Sequence, residues 1–210
     1  MMKKVLIAVA ISSAMAGAQA DVLINEGFDE VSALTGKGWI VNNASTPAGP
    51  LSWFQGDQNQ FEAHQGAPES YAAVNYFSGA EGGTLSNWLI TPEFSTMMNV
   101  SISFWLRGAV DPGYTDQVAF GFSNGSSALG DFVLGQAVTV AQGEWTKYIV
   151  NLAPTNGSAR FAIQYTGPAD SASYLGLDSL RVTEVPEPAS LLILAAGALG
   201  LAATRRRKRA

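Results

Sequence analysis

Between Val100 and Arg107 the chain switches between apolar and polar at every residue. Val100, Ile102, Phe104 and Leu106 interleave with Ser101, Ser103, Trp105 and Arg107. A strand turns successive side chains to opposite faces, so this period of two commits the segment to a half-buried strand with the first set inward and the second toward water. Val118, Phe120 and Phe122 repeat the pattern, as do Phe161, Ile163 and Tyr165; large apolar residues at that spacing are core residues first. Short runs of this kind, separated by Gly, Pro, Asn and Ser, recur from Asp21 to Glu184, with no convincing helical periodicity among them. The pattern predicts an all-β sandwich or barrel. Strands are expected over residues 22–28, 71–77, 87–90, 100–107, 117–123, 132–140, 145–152, 160–165 and 174–182. About nine strands are enough for two packed sheets.

Both ends of the chain read differently. Lys3 and Lys4 precede an apolar stretch from Val5 to Ile11, and Ala18-Gln19-Ala20 has the small-x-small form of a cleavage site. This predicts an N-terminal signal helix over residues 1–20, exported by the Sec route and cut before Asp21. At the other end no polar side chain falls between Leu191 and Ala203, and the run is closed by Arg205, Arg206, Arg207, Lys208 and Arg209. From Ala189 to Thr204 is about 16 residues, roughly 24 Å of helix. That is short of the ~20 residues a bilayer core asks for, but flanking cations snorkel to the headgroups and thin or tilted spans follow. A C-terminal transmembrane helix is expected, and the cations place its preceding domain outside the cytoplasm. The alternative is a buried core helix with a solvated basic end. Just before the run, the two prolines of Val185-Pro186-Glu187-Pro188 deny the backbone helical hydrogen bonds and hold it extended, as a processing enzyme would read it.

The order of this motif, a short apolar helix and an arginine cluster resembles the PEP-CTERM family of bacterial surface proteins over residues 185–210. The resemblance implies recognition and cleavage by an exosortase-type processing enzyme, in a bacterium that secretes exopolysaccharide. It implies a membrane-tethered precursor and then a place at the cell surface or in the extracellular matrix. It speaks to sorting and carries no activity.

Once Lys3, Lys4 and the terminal basic run are set aside, Lys37, Arg107, Lys147, Arg160 and Arg181 stand against all 17 acidic residues, which lie between Asp21 and Glu187, a net charge of −12. A domain this anionic repels phosphate backbones, which argues against nucleic acid as a partner, and attracts divalent cations. There is no cysteine, so neither disulfides nor thiolate metal sites are available.

Within residues 21–184 the segments NEGFD, GW, SNWLITPEF, VSISFWLRG, DQVAFGFSNG, EWTKYIVNL, RFAIQYTG and YLGLDSLRV occur in an order that resembles the choice-of-anchor J domains. These are related to cleaved-adhesin and MAM-like jelly rolls. The resemblance implies a jelly-roll-like β-sandwich with an adhesive or matrix-binding role, directed at an extracellular polysaccharide or a surface protein, and no catalysis.

Period-two alternation sets two carboxylates among apolar neighbours. Glu26 shares a face with Val22, Ile24 and Phe28, and Asp178 shares one with Tyr174, Gly176, Leu180 and Val182. A buried carboxylate without a partner costs several kcal/mol or takes up a proton. Jelly rolls often bring their first and last strands together, which makes Glu26 and Asp178 candidate ligands of a structural calcium ion, with Asn25, Asp29 or backbone carbonyls completing its oxygen shell. The alternative is a β-bulge that turns one carboxylate outward, or satisfaction by backbone N–H groups or Arg181.

No catalytic apparatus stands out. His64 is the one histidine, in QFEAHQGAPES, and Ser70 and Asp57 lie near it without the context of a nucleophile elbow. Glu62, Glu69, Glu81, Asp111 and Asp116 supply carboxylates for a glycosidase pair only because acidic residues are abundant. Sugar binding has better candidates. Trp53, beside Phe54 and near Gln55, Asp57 and Asn59, and Tyr114, in the turn DPGYTD, pair an aromatic face with polar groups. The alternative for Trp53 and Phe54 is that they plug one end of the sandwich. The sequence therefore predicts a non-enzymatic surface or matrix protein. A carbohydrate-binding module with a defined site is the first rival and a polysaccharide hydrolase the second.

Overall fold

A computed structural model describes residues 20–186. The expected signal helix up to residue 19, the membrane helix, Glu187, Pro188 and the basic run Arg205 to Arg209 lie outside the described residues.

The alternating segments become the long strands, and the turn residues between them end each one. In chain order the strands are β1 (Val22–Glu26), β2 (Ile40–Asn43), β3 (Thr46–Ala48), β4 (Phe54–Gln55), β5 (Ala72–Asn75), β6 (Gly79–Ile90) and β7 (Phe94–Ser95). They continue with β8 (Asn99–Gly108), β9 (Gln117–Ser123), β10 (Val133–Leu134), β11 (Val138–Thr139), β12 (Thr146–Leu152), β13 (Ser158–Pro168) and β14 (Tyr174–Val185). One sheet runs β12-β8-β14-β5-β4 with β1 also on β14; the other runs β10-β9-β13-β6-β2 with β11, β3 and β7 paired at its margins. Among the described residues, helix is confined to single 3₁₀ turns.

The two sheets close over a core whose period is the one the sequence shows. Ile102, Phe104 and Leu106 of β8, Leu175 and Leu177 of β14 and Val74 of β5 meet Val118 of β9, Phe161, Ile163 and Tyr165 of β13, and Leu85 and Leu89 of β6; all are buried. Each such side chain contributes roughly 1.5–3 kcal/mol on burial. Residues Ala20–Val185 form one compact unit.

Four differences from the expected strands have local causes. The strand expected over 71–77 stops at Asn75, whose side chain accepts from Phe77 N–H at 3.0 Å and opens a 3₁₀ turn over Tyr76–Ser78. The strand expected over 87–90 already starts at Gly79, because β3 pairs with its first half at Ala48↔Gly79 and Thr46↔Thr84 and β13 with the rest from Pro168↔Thr84 to Ala162↔Ile90. The stretch 132–140 is two short strands, β10 and β11, each paired with β9 and separated by Gly135, Gln136 and Ala137. Finally β2, β3, β4 and β7 are marginal strands, too short for a period to show.

The first and last strands do pair, with Ile24 opposite Val182 and Glu26 opposite Leu180. The alternation of β14, however, is broken. Asp178 faces Trp105 of β8 while Arg181 faces Ser103, so three steps on β14 match two on β8, and Ser179 takes a left-handed φ of 51°. This is a β-bulge. Before it Leu175 and Leu177 point inward, after it Leu180 and Val182 do. Tyr174, Gly176 and Asp178 therefore lie on the outer face of the sheet, which corrects the expectation that Asp178 sits beside Leu180 in the core.

That outer face is not open to water. Residues 57–70 cross it as a strap, with Phe61 stacked on Tyr71 at 5.0 Å and edge-on to Tyr174 and Trp145. The Arg107 guanidinium lies 4.5 Å from the Phe61 ring centre, and His64 stacks on Trp105 at 3.8 Å. Trp105 and Arg107 are thus half-buried under the strap instead of facing water. Gly176 makes room for it, since a Cβ there would fall 2.8 Å from the Phe61 ring and 2.9 Å from that of Trp145.

Candidate functional site

At one end of the sandwich the connections β5–β6, β8–β9 and β13–β14 enclose a cleft of about 640 Å³. Its walls carry Tyr76 and Phe77 from the first connection, Asp111 and Tyr114 from the second and Asp170 from the third, with Glu81 at the start of β6. Tyr76, Phe77 and Tyr114 are 44%, 47% and 42% exposed, and they are the exposed aromatic residues among those described. An exposed aromatic ring loses the hydrophobic stabilisation it would gain by burial. Here all such rings converge on one concavity, the form of a ligand site.

The loops are fastened so that these rings stay out. Besides the Asn75 cap, Asn43 Nδ2 donates to Ser78 O at 2.7 Å, and Gly49 N–H donates to the same oxygen at 2.9 Å. Tyr76 N–H donates to Ser173 O at 3.0 Å, tying the first connection to the third. The Tyr76 and Phe77 rings then lie 4.2 Å apart. In the second connection Gly113 takes φ +92°, a conformation that suits glycine, and Tyr114 N–H donates to Asp111 O across the turn. Asp111 Oδ2 accepts from Ser173 Oγ at 3.0 Å, and Asp170 Oδ1 accepts from Gly82 N–H at 2.9 Å. Glu81 makes no side-chain hydrogen bond among the described residues, so its carboxylate stands free at the rim.

Of the two aromatic ligand candidates from the sequence, Tyr114 lines this cleft and Trp53 does not. Trp53 is buried in the main core, with its indole N–H donating to Asn87 O at 3.4 Å, so it presents no face to a sugar. His64 Nδ1 lies 3.4 Å from Ser179 Oγ on the outer face of the sheet that holds β8 and β14, and Ser70 is buried at the strap's end. Tyr76 and Phe77 were legible only in part. Two adjacent aromatic residues on one strand point to opposite faces, so one of them had to be outside, but the Asn75 cap that exposes both gives no period.

Glu26 and Asp178 each have their own partners. Glu26 Oε1 accepts from Phe28 N–H at 2.9 Å and Oε2 pairs with Lys37 Nζ at 3.0 Å. Asp178 Oδ2 accepts from Gln65 N–H at 2.9 Å, and Oδ1 accepts from the N–H and hydroxyl of Ser179. The bulge sets the two carboxylates on different faces of the sheet. Among the described residues no three acidic or histidine side chains converge as a metal group. Asn25, Glu26, Asp29 and Ser179 do rim a hollow of about 370 Å³, which Lys37 also lines.

Asp116, beneath the cleft, is fully buried. Its Oδ1 accepts from Tyr165 OH at 2.6 Å and Ser173 N–H at 2.9 Å, while Oδ2 has no partner. Burial pushes the carboxyls of both Asp116 and Asp178 above the usual range, and beside Asp116 the Tyr165 phenol is pushed up as well, by burial first. A folded-state pKa above the unfolded value means that the native state binds the proton first. The resulting stabilisation is full below the unfolded carboxylate value of about 3.9 and is lost as pH rises through the folded value. Stability is therefore expected to rise as pH is lowered from 7 toward that range. Asp116→Asn keeps the acceptor at Oδ1 and removes the charge, but puts an amide NH2 that itself needs a partner where Oδ2 was; it is expected to flatten the pH dependence. Urea midpoints between pH 7 and 4.5 check this, and a variant whose midpoint changes with pH as steeply as that of wild type contradicts it.

Comparison with known proteins separates the tail from the domain. The family described as the PEP-CTERM protein-sorting motif matches residues 184–208. No curated protein matches the sequence. Among solved structures, the K1 cleaved adhesin domain of Lys-gingipain from Porphyromonas gingivalis W83 is similar at a TM-score of 0.60 and 16% identity, covering 80% of this chain and 99% of that one. The K3 cleaved adhesin domain of the same protein is similar at a TM-score of 0.57 and 19% identity, covering 79% and 99%. At such identities the likeness is one of fold. The chain thus carries a PEP-CTERM sorting motif behind an all-β sandwich whose fold is similar to that of these cleaved adhesin domains.

Proposed function

We propose that the protein is an exported component of the cell surface or extracellular matrix whose sandwich holds on to polysaccharide through the end cleft, without catalysis. The observation that carries this reading is the convergence of Tyr76, Phe77 and Tyr114 on one concavity. The sorting motif at residues 184–208 supports the location, with an exosortase-type enzyme as the processing partner and the membrane as a temporary anchor. β14 runs to Val185, so the sorting motif starts directly where the last core strand ends. Affinity electrophoresis of the protein through gels holding a panel of polysaccharides tests the reading. Saturable retardation by at least one of them, competed by its soluble oligosaccharide, is expected. Retardation by none defeats it, and release of reducing sugar replaces binding with hydrolysis.

A structural calcium ion is a separate proposal, for which we propose the hollow rimmed by Asn25, Glu26, Asp29 and Ser179 as the site. Lys37 already supplies a positive charge to Glu26 there, so ion and ammonium compete. Calcium is expected to raise the thermal midpoint, and to raise it more in Lys37→Met, because a ligand selective for the folded state must stabilise it. Midpoints unmoved by calcium and by chelator in both proteins remove the ion.

A further inference from the structure

We infer that the end cleft selects glycans bearing free amino groups over N-acetylated, neutral or uronate-containing ones. This rests on the glycan-binding reading above and names the sugar chemistry for the same site. The aromatic rings make the site; its charges choose the occupant.

Every charged residue lining the cleft is acidic: Glu81, Asp111 and Asp170. None has a cationic partner among the described residues, where the ion pairs are Lys37 with Glu26 and Arg160 with Glu93. The other cations of the domain are committed elsewhere or lie away from the cleft. Arg107 covers Phe61, Lys147 sits over Trp105, and Arg181 is on β14 opposite Asn25 and Ser103. Nothing in the cleft can neutralise an incoming carboxylate, so a uronate would meet like charge on every side.

An amino sugar meets the opposite situation. Its ammonium can lie between carboxylates that still have unused oxygens. Asp111 offers Oδ1, Asp170 offers Oδ2, and Glu81 offers both of its oxygens, since their side-chain hydrogen bonds among the described residues use only Asp111 Oδ2 and Asp170 Oδ1. The same ammonium is drawn to the faces of Tyr76, Phe77 and Tyr114 through their quadrupoles. The pyranose ring meanwhile presents flat C–H faces for stacking. N-Acetylation removes the charge and adds bulk, so it deletes the ionic part of the recognition and leaves only the stacking. A lysine-rich peptide shares the ammonium but not the pyranose face, which is why a sugar polymer is the favoured occupant.

Calorimetric titration of the full chain with glucosamine oligomers, their N-acetylated counterparts, neutral glucan oligomers, uronate oligomers and oligolysine tests this. The free-amine oligomers are expected to bind at least tenfold tighter than the N-acetylated ones and to weaken as salt screens the pairing. Uronate oligomers are expected not to bind. Glu81→Gln and Asp170→Asn, which disturb few or no fold contacts, are expected to shrink the preference, and Tyr114→Ala to weaken all sugars together. Equal or tighter binding of acetylated, neutral or uronate oligomers, still dependent on Tyr114, overturns the amine selectivity and leaves the glycan reading standing. Binding of no oligosaccharide, or of oligolysine as tightly as glucosamine oligomers and independently of Tyr114, overturns both.

Discussion

Replacing Tyr76 and Tyr114 together with alanine is expected to weaken polysaccharide binding on the order of 100-fold while the protein stays folded. Each ring stands on a different connection across the cleft. A stacked aromatic face contributes roughly 0.5–1.5 kcal/mol beyond its buried area, which together with that area amounts to about tenfold in affinity per ring. The two losses should add closely, since the residues belong to separate loops. Phe77 is the opposite case. Its ring lies 4.2 Å from that of Tyr76, so the pair should be non-additive, with the double variant losing less than the sum of the single losses. Stability should move by no more than about 0.5 kcal/mol in the Tyr76 and Tyr114 variants, the usual range for exposed positions. Affinity electrophoresis beside urea denaturation checks both. A double variant that binds as tightly as wild type removes the cleft from the account.

The second large effect concerns the strap. Asp178→Ala is expected to cost about 4 kcal/mol at pH 7. The carboxylate is fully buried and accepts from the N–H groups of Gln65 and Ser179. Deleting it orphans those donors, each at roughly 1–3 kcal/mol, and leaves a void. The loss should be local first. Amides of residues 57–70 are expected to exchange faster than those of β8 and β13, since partial opening costs less than global unfolding. Asp178→Asn keeps one acceptor oxygen and should recover a good part of the stability. If Asp178→Ala proves within 1 kcal/mol of wild type, the strap is held without Asp178, by Phe61, His64 and the hydrogen bonds of Glu62 O with Trp145 and of Asp57 with Tyr71 and Tyr174.

What the sequence made legible follows from which forces have a period. The core faces of β8 and β13 were readable because burial on one side of a strand leaves an alternation that nothing local disturbs. Asp178 was misplaced because a bulge consumes one residue without any compositional mark; Ser179 is an ordinary residue held at φ 51° by the pairing on either side of it. The outward prediction for Trp105 and Arg107 failed for a related reason, since a strap of Gln, Gly and Pro has no periodicity to announce what it covers. Trp53 was ambiguous by composition, sitting among loop-like residues, and only its packing against the core decides it. Tyr114 was identifiable because a turn of Asp, Pro and Gly leaves an aromatic residue nowhere to be buried. Its companions Tyr76 and Phe77 needed the cap at Asn75, and Asp170 needed the third dimension, being 59 residues along the chain from Asp111.

Hydrogen exchange of the full chain, with and without a saturating oligosaccharide selected from the panel, puts the end cleft to the test most directly. Protection is expected in the peptides containing Tyr76 to Glu81, Asp111 to Thr115 and Ala169 to Ala172, with the strap over residues 57–70 unchanged. Protection confined to the strap and the outer face of its sheet, with the three end connections unaffected, would contradict the account.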